Sequence, residues 1–290
     1  MRSLSEILLP TDFSPRSVDV ARYAVGVACR FHSKITLLHV LSLPNPAWTA
    51  MWDGGVVYDV LTRQKEDACN RLGLFLGDEF GELEVSRVVA EGNAGEVITE
   101  YAASQHIGLI MMPTRGCTAF RRFLLGSVTA KVLHDVSCPV WTSSHITDGR
   151  STAAVIPKVI VCAVDLTPQG ETILEWASDL AAELQARLIV CHAIPSLEFH
   201  PETYFLEADM RKALIGEAHA RISKVLDNSR TPGAEVRVEG GNVATVVRSV
   251  VEDNRADLLV IGRPLGGMLG RLRTHSYALI RESPCPVISI

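Results

Sequence analysis

A chain of 290 residues, 47% hydrophobic and 21% charged, is long enough for two domains that each bury a core, and its composition is globular, not disordered or fibrous. A formal net charge of −5 argues against broad electrostatic binding of nucleic acid, and no stretch approaches the roughly 20 apolar residues of a membrane helix. Seven cysteines (Cys29, Cys69, Cys117, Cys138, Cys162, Cys191 and Cys285) are scattered without a C-x-x-C pair, which argues against a disulfide framework or zinc knuckle and reads as reduced thiols behaving as small core residues. The start, MRSLSEILLPTDFSP, has no apolar stretch long enough for a signal peptide before proline and aspartate intervene, so a cytoplasmic location is expected.

Taken in chain order, short apolar runs rich in β-branched residues alternate with longer helical patterns, the sign of a parallel sheet covered by helices. In the first half, strands are expected near 5–10, 34–42, 84–90, 108–113 and 139–143, with helices near 15–31, 56–79, 95–106 and 126–135. Ser14 reads as an N-cap and Pro15 as a first-turn residue. The stretch LPNPAWTAMWDGG after the second strand carries Trp48 and Trp52, suited either to a lid over a ligand or to burying apolar area. A polar, turn-rich segment over 142–157 reads as a linker. Beyond it, strands are expected near 158–164, 187–194, 234–239, 256–262 and 286–290.

The second half repeats the first. EILLPTDFS and VIVCAVDLT both close on aspartate, Asp12 and Asp165, 153 positions apart, and the same shift sets His39 on His192. Farther along, EGNAGEVI aligns with GGNVATVV at a shift of 149, and SCPVW with PCPVI at 147. A repeat of half the chain means two homologous domains, expected at 1–144 and 157–290. The repeated histidines read as satisfied structural positions before they read as ligands or proton carriers.

In open parallel sheets ligands bind beyond the carboxyl ends of the strands, where strand order reverses. Asp12 follows the first strand, Val40 ends the second, and the loop from Pro113 follows the fourth. In MMPTRGCTAFRRFLLGSVT that loop runs through glycine and basic residues into Gly126-Ser127 at a helix start, a combination suited to an anion and also to an ordinary turn with a serine cap. There is no GxxxxGK[ST], so the P-loop route to nucleotide is absent, and no His/Cys spacing suggests a metal site.

These residues resemble the universal stress protein family, whose nucleotide-binding members carry G-x2-G-x9-G-[ST] after the fourth strand; Pro113, Gly116, Gly126 and Ser127 stand at those spacings. The resemblance covers nearly the whole chain, twice, as in tandem members. It implies an α/β fold: two Rossmann-like domains, each a five-stranded parallel open sheet in the order 3-2-1-4-5 flanked by helices, together an intramolecular pseudo-dimer, with further homodimerisation left open. It also implies ATP or a related adenine nucleotide as ligand, with Mg2+ as an accompanying ion. By match to family positions, Asp12 would bind the ribose, Val40 the adenine through its backbone, and Gly116, Gly126 and Ser127 the phosphates. Pro10, Thr11, Pro113, Arg115, Arg121, Arg122 and Val128 are additional candidates around them. The sequence departs from the pattern at Pro113, which has no N–H to donate. In the second half Asp165 and Gly262 remain as weaker candidates, while Leu265 replaces the second glycine and Arg273-Thr274 falls where Gly-Ser is expected.

The reading that follows is a cytoplasmic stress-response protein that binds nucleotide in its N-terminal domain and works as a regulatory module toward an unidentified protein partner, with no nucleic acid or membrane involved. Slow ATP hydrolysis and a nucleotide-free interaction scaffold are the alternatives. The degenerate second loop reads as a repeat retained for core and interface.

Overall fold

Continuous apolar runs form the strands of the first half: β1 (Glu6–Pro10), β2 (Lys34–Leu41), β3 (Val85–Glu91), β4 (Leu109–Pro113) and β5 (Val140–Ser143). Between them stand helices α1 (Pro15–Phe31), α2 (Gly54–Leu74), α3 (Ala94–Ser104) and α4 (Ser127–Asp135). The second half has β6 (Val159–Ala163), β7 (Arg187–Ile194), β8 (Glu235–Gly240), β9 (Leu258–Ile261) and β10 (Val287–Ser289), with α5 (Pro168–Leu184), α6 (Tyr204–Asp227), α7 (Val243–Asp253) and α8 (Arg271–Glu282). This computed structural model describes residues 4–42, 54–116, 125–143, 156–195, 204–263 and 271–290. The chain divides into two compact units, held in the main by 2–141 and 156–290.

In the first unit the strand order is β3-β2-β1-β4-β5, and in the second β8-β7-β6-β9-β10, the order expected from the resemblance. The pairs are parallel: Ile7 lies opposite Ile35 on one side and Leu109 on the other, and Ile160 lies opposite Leu188 and Leu258. Central strands of a parallel sheet are covered on both faces, which is why β1, β4, β6 and β9 read as unbroken apolar runs. Ile7, Leu8, Leu109 and Ile110 are fully buried, as are Ile160, Val161, Leu258 and Val260.

The repeat extends to the helix caps. Ser14 accepts a hydrogen bond from Ser17 N at the start of α1, and Thr167 accepts one from Gly170 N at the start of α5, each followed by proline in the first turn. These helices end on His32 and Gln185, both in the left-handed region at φ 54°. Asn93 caps α3 and Asn242 caps α7 by accepting from two backbone amides each, and each follows a glycine at φ 138°. A φ that large is closed to most side chains, so Gly92 and Gly241 permit the strand-to-helix turn.

Two expectations need correction. The second helix stops at Leu74, short of 79, because the chain turns through Leu76 at φ 50° and Gly77 follows. Not all described cysteines are core residues either: Cys162, Cys191 and Cys285 are buried, but Cys69 on α2 is exposed, and so is Cys29, since the apolar stripe of α1 runs through Val20, Ala21, Ala24, Val27 and Ala28 instead. Burial pushes the Cys191 thiol up to about 12 and that of Cys285 to about 11, so both stay neutral. Cys117, Trp48 and Trp52 lie outside the described residues.

Candidate functional site

In each unit the order reverses between the first and fourth strands: the chain moves outward from β1 to β3, then crosses back to β4, and likewise from β6 to β9. The loops leaving β1 and β4 therefore diverge from one crevice. Asp12 stands there two residues past β1. Its Oδ1 accepts from Ser14 N at 3.0 Å and from Ser17 Oγ at 2.6 Å, so the exposed carboxylate is held from beneath by two buried serines. The next residue, Phe13, sits at φ 60°, costly for a bulky side chain. Its N–H donates to Thr11 Oγ1, and its ring packs 4.4 Å from His39, 5.9 Å from Phe75 and 4.3 Å beneath the Arg71 guanidinium.

Thr11 N donates to Leu38 O at 2.9 Å, and the His39 imidazole reaches Thr11 O from Nδ1 at 2.8 Å. His39 is thus a structural tie between the two strand ends, as the repeat suggested; His192 makes the same contact to Val164 O at 2.9 Å. Leu38 turns its carbonyl toward β1, so by the alternation of a strand Val40 does too, and β1 ends at Pro10, opposite Leu38. The backbone of Val40 consequently faces the crevice above the end of β1.

The loop after β4 is anchored at both ends. The Thr129 hydroxyl of α4 donates to Pro113 O at 3.1 Å, Gly126 N donates to Thr114 O at 2.9 Å, and Arg16 Nη1 donates to Gly116 O at 2.9 Å. Gly116 lies so close to Asp12 that a Cβ there would stand 2.6 Å from Asp12 Oδ2. At Gly126, the N-cap of α4, a Cβ would meet its nearest neighbour, Thr114 O, at 3.4 Å, and the φ of −63° is open to any residue, so neither space nor backbone demands glycine here. No side chain caps α4, in contrast to α1, α3, α5 and α7, and its start presents Ser127, exposed, and Val128, half-buried. Arg115 is half-buried beside Gly116; Arg121 and Arg122 lie outside the described residues. Pro113 is buried at the end of β4.

The second unit keeps the frame and changes its contents. Asp165 is exposed, with Oδ1 accepting from Thr167 N at 3.2 Å and from the Thr167 hydroxyl. Ser276 Oγ donates to Gly262 O at 3.1 Å, as Thr129 does to Pro113 O, and Gln169, standing where Arg16 stands in the first unit, donates to Arg263 O at 2.7 Å. At the place of Ser17 is Gly170, where a Cβ would lie 2.1 Å from Asp165 O and 2.6 Å from its Oδ1. At Gly262 a Cβ would lie 2.5 Å from Ile173 Cδ1. By the repeat, Pro113 and Val20 stand in the first unit at the positions of Gly262 and Ile173. Asp165 and Gly262 both line a cavity of about 150 Å³ at the ends of β6, β7 and β9.

Both halves match a model of the universal stress protein family, over residues 4–143 and 157–290. The chain belongs to the universal stress protein family. A universal stress protein of Mycolicibacterium smegmatis is 28% identical over 287 residues, spanning 96% of this chain and 93% of that protein. Another, from Methanocaldococcus jannaschii, is 28% identical over 136 residues, covering 47% of this chain and 79% of the relative. Among solved structures, a universal stress protein from Archaeoglobus fulgidus covers 99% of this chain and 98% of its own at a TM-score of 0.69 and 21% identity, a likeness of fold. The twofold family match identifies a tandem universal stress protein.

Sequence reasoning brought Asp12, Gly116 and Gly126 to one crevice, and the fold does the same. It missed Ser17, Arg16 and Thr129, which hold the aspartate and the loop, because a serine five residues past an aspartate or a threonine inside a helix carries no pattern of its own. Among the described residues no group of three or more His, Cys, Asp or Glu could hold a metal ion, and no helix is long and apolar enough to cross a membrane.

Proposed function

We propose that this tandem universal stress protein, with domains at 1–144 and 157–290, binds ATP or a related adenine nucleotide in its first unit and acts as a cytoplasmic regulatory module. The observation that carries this reading is the pairing of Asp12 with Gly116: a carboxylate oriented by Ser14 and Ser17 faces a loop residue whose missing Cβ leaves room beside Asp12 Oδ2. A carboxylate so held suits vicinal ribose hydroxyls, which donate hydrogen bonds to it. The backbone of Val40 is directed to the same crevice and suits the edge of a base. The start of α4 supplies amides and the positive end of a helix dipole for phosphate, with no side chain competing for them. Mg2+, when it accompanies the phosphates, would offset their charge.

Pro113 fits this scheme because its carbonyl, not its missing N–H, is what the local structure uses, accepting from Thr129. The loop is therefore anchored without a donor at 113. The test is to denature freshly purified protein and quantify released nucleotide per chain, then titrate ATP into the stripped protein and into Gly116→Leu and Gly126→Leu. Bound adenine nucleotide lost in both variants, with melting temperatures unchanged, is the expected result. Absence of any nucleotide and of any thermal shift with ATP would overturn the reading in favour of a scaffold.

A further inference from the structure

We infer that Ser17 is a positioning residue of the first-unit crevice: its Cβ keeps the peptide between Asp12 and Phe13 turned away from α1, and that turn orients the Asp12 carboxylate for a ligand. The ligand rests on the nucleotide reading above; the turn rests on a comparison of the two units.

Thr11, Phe13 and Ser17 of the first unit stand where Val164, Leu166 and Gly170 stand in the second. In the second unit the Asp165 carbonyl points into the first turn of α5. A Cβ on residue 170 would lie 2.1 Å from its oxygen and 3.0 Å from its carbon, so only glycine leaves that space. Ser17 carries a Cβ at the equivalent place, which closes to the Asp12 carbonyl the direction that the Asp165 carbonyl takes. The peptide has to rotate. Because a peptide unit is rigid, its rotation is absorbed by ψ of the residue before it and φ of the residue after it. The φ values differ accordingly: Phe13 lies at 60°, whereas Leu166 is not among the residues of positive φ.

A left-handed backbone at phenylalanine is unfavourable by itself and persists only where its surroundings over-determine it. Here they do. The Phe13 N–H donates to Thr11 Oγ1 at 3.1 Å, an acceptor that Val164 does not offer. The ring is seated against His39 and Phe75 under the Arg71 guanidinium. Leu166 has no ring to seat, and Arg221 of α6 donates to its carbonyl at 2.9 Å instead. The carboxylates follow their turns. Asp12 Oδ1 reaches α1, accepting from Ser17 Oγ at 2.6 Å, and Oδ2 lies beside Gly116. Asp165 Oδ1 is engaged within its own turn, by the Thr167 amide and hydroxyl. Ser17 thus acts twice, through its hydroxyl on the carboxylate and through its Cβ on the peptide.

The experiment compares crystal structures of the full chain carrying Ser17→Gly and Ser17→Ala. Glycine opens the space beside the Asp12 carbonyl and alanine does not. Phe13 is therefore expected to relax to a negative φ in Ser17→Gly and to keep its positive φ in Ser17→Ala. Hydrogen exchange at the Phe13 amide, which loses Thr11 Oγ1 on relaxing, should be about tenfold or more faster in Ser17→Gly than in Ser17→Ala. Calorimetric titration with ATP should give Ser17→Gly an affinity about tenfold or more below that of Ser17→Ala, although both lack the hydroxyl. In the second unit, Gly170→Ala should drive Leu166 to positive φ. A positive φ at Phe13 in Ser17→Gly, or a relaxed one in Ser17→Ala, would overturn the role of the Cβ. Equal ATP affinity in the two variants, with the turn relaxed in one, would overturn its bearing on the ligand. Absence of ATP binding by the wild-type chain would instead sink the nucleotide reading, while the φ comparison still decides the turn.

Discussion

The two strand-end crevices are built on one frame and differ in what fills it. In both, an aspartate follows the first strand, a histidine ties the second strand to the first, and a hydroxyl on the last helix holds the carbonyl at the end of the fourth strand. The first unit places Ser17 under Asp12 and a glycine against its Oδ2; the second places Gly170 under Asp165 and a buried arginine nearby. The lesson is that the frame survives substitution because its hydrogen bonds end on backbone carbonyls, while ligand chemistry follows from the few side chains between them.

The sharpest way to break the comparison is Gly170→Ser, which restores the first unit's residue in the second. A Cβ 2.1 Å from a backbone oxygen forces the β6–α5 turn to move, and a loss of about 2–4 kcal/mol is expected, read as a lowered denaturation midpoint. The same stability as wild type would mean that the turn relaxes freely and that the two aspartates are interchangeable.

Gly116→Ala comes next in the first unit. Its Cβ would press on Asp12 Oδ2, so ATP affinity is expected to fall by about tenfold or more with little change in melting, since the displaced group is an exposed carboxylate. Ser17→Ala removes the 2.6 Å hydrogen bond to Asp12 and should cost about 1–2 kcal/mol of stability, with a drop in nucleotide affinity that Thr167→Ala does not produce. Thr167→Ala instead removes an N-cap, at about 1 kcal/mol of stability, seen in the unfolding of the second unit alone.

The smallest effect is expected at Arg22 and Glu79, which pair at 2.7 Å on the exposed surface of the first unit. The Arg22 hydrogen bond holds the Glu79 carboxyl below its ordinary value. A depressed carboxyl stabilises the fold fully above the usual glutamate range, and that contribution is lost as pH falls through the lowered value. Solvent screening keeps it within about 1 kcal/mol, so Arg22→Ala should shift the denaturation midpoint slightly at pH 7 and not at all in strong acid.

Most of the fold was legible because its signals are local. The apolar runs and Ser14 with Pro15 each act within a few residues, and the helix α1 spans the range expected for it. The end of α2 was less legible, since an apolar pattern continues past Leu74 while the backbone turns at Leu76. The site was legible only in its outline. Asp12 and the glycines follow a spacing, but Arg16 meets Gly116 across 100 positions and Thr129 meets Pro113 across 16, contacts that no pattern along the chain encodes.

By itself, the sequence determined that there are two α/β halves, in what order their strands and helices run, and that the two are related, because periodicity, capping and turn chemistry act over short distances. Only the tertiary structure decided what the halves do with their strand ends: that Ser17 holds one aspartate while Gly170 makes room for the other, that Gly262 leaves room for Ile173, and that Arg263 lies buried against an aliphatic cavity. Those outcomes depend on distances between residues far apart in the chain, and steric exclusion over fractions of an ångström settles them.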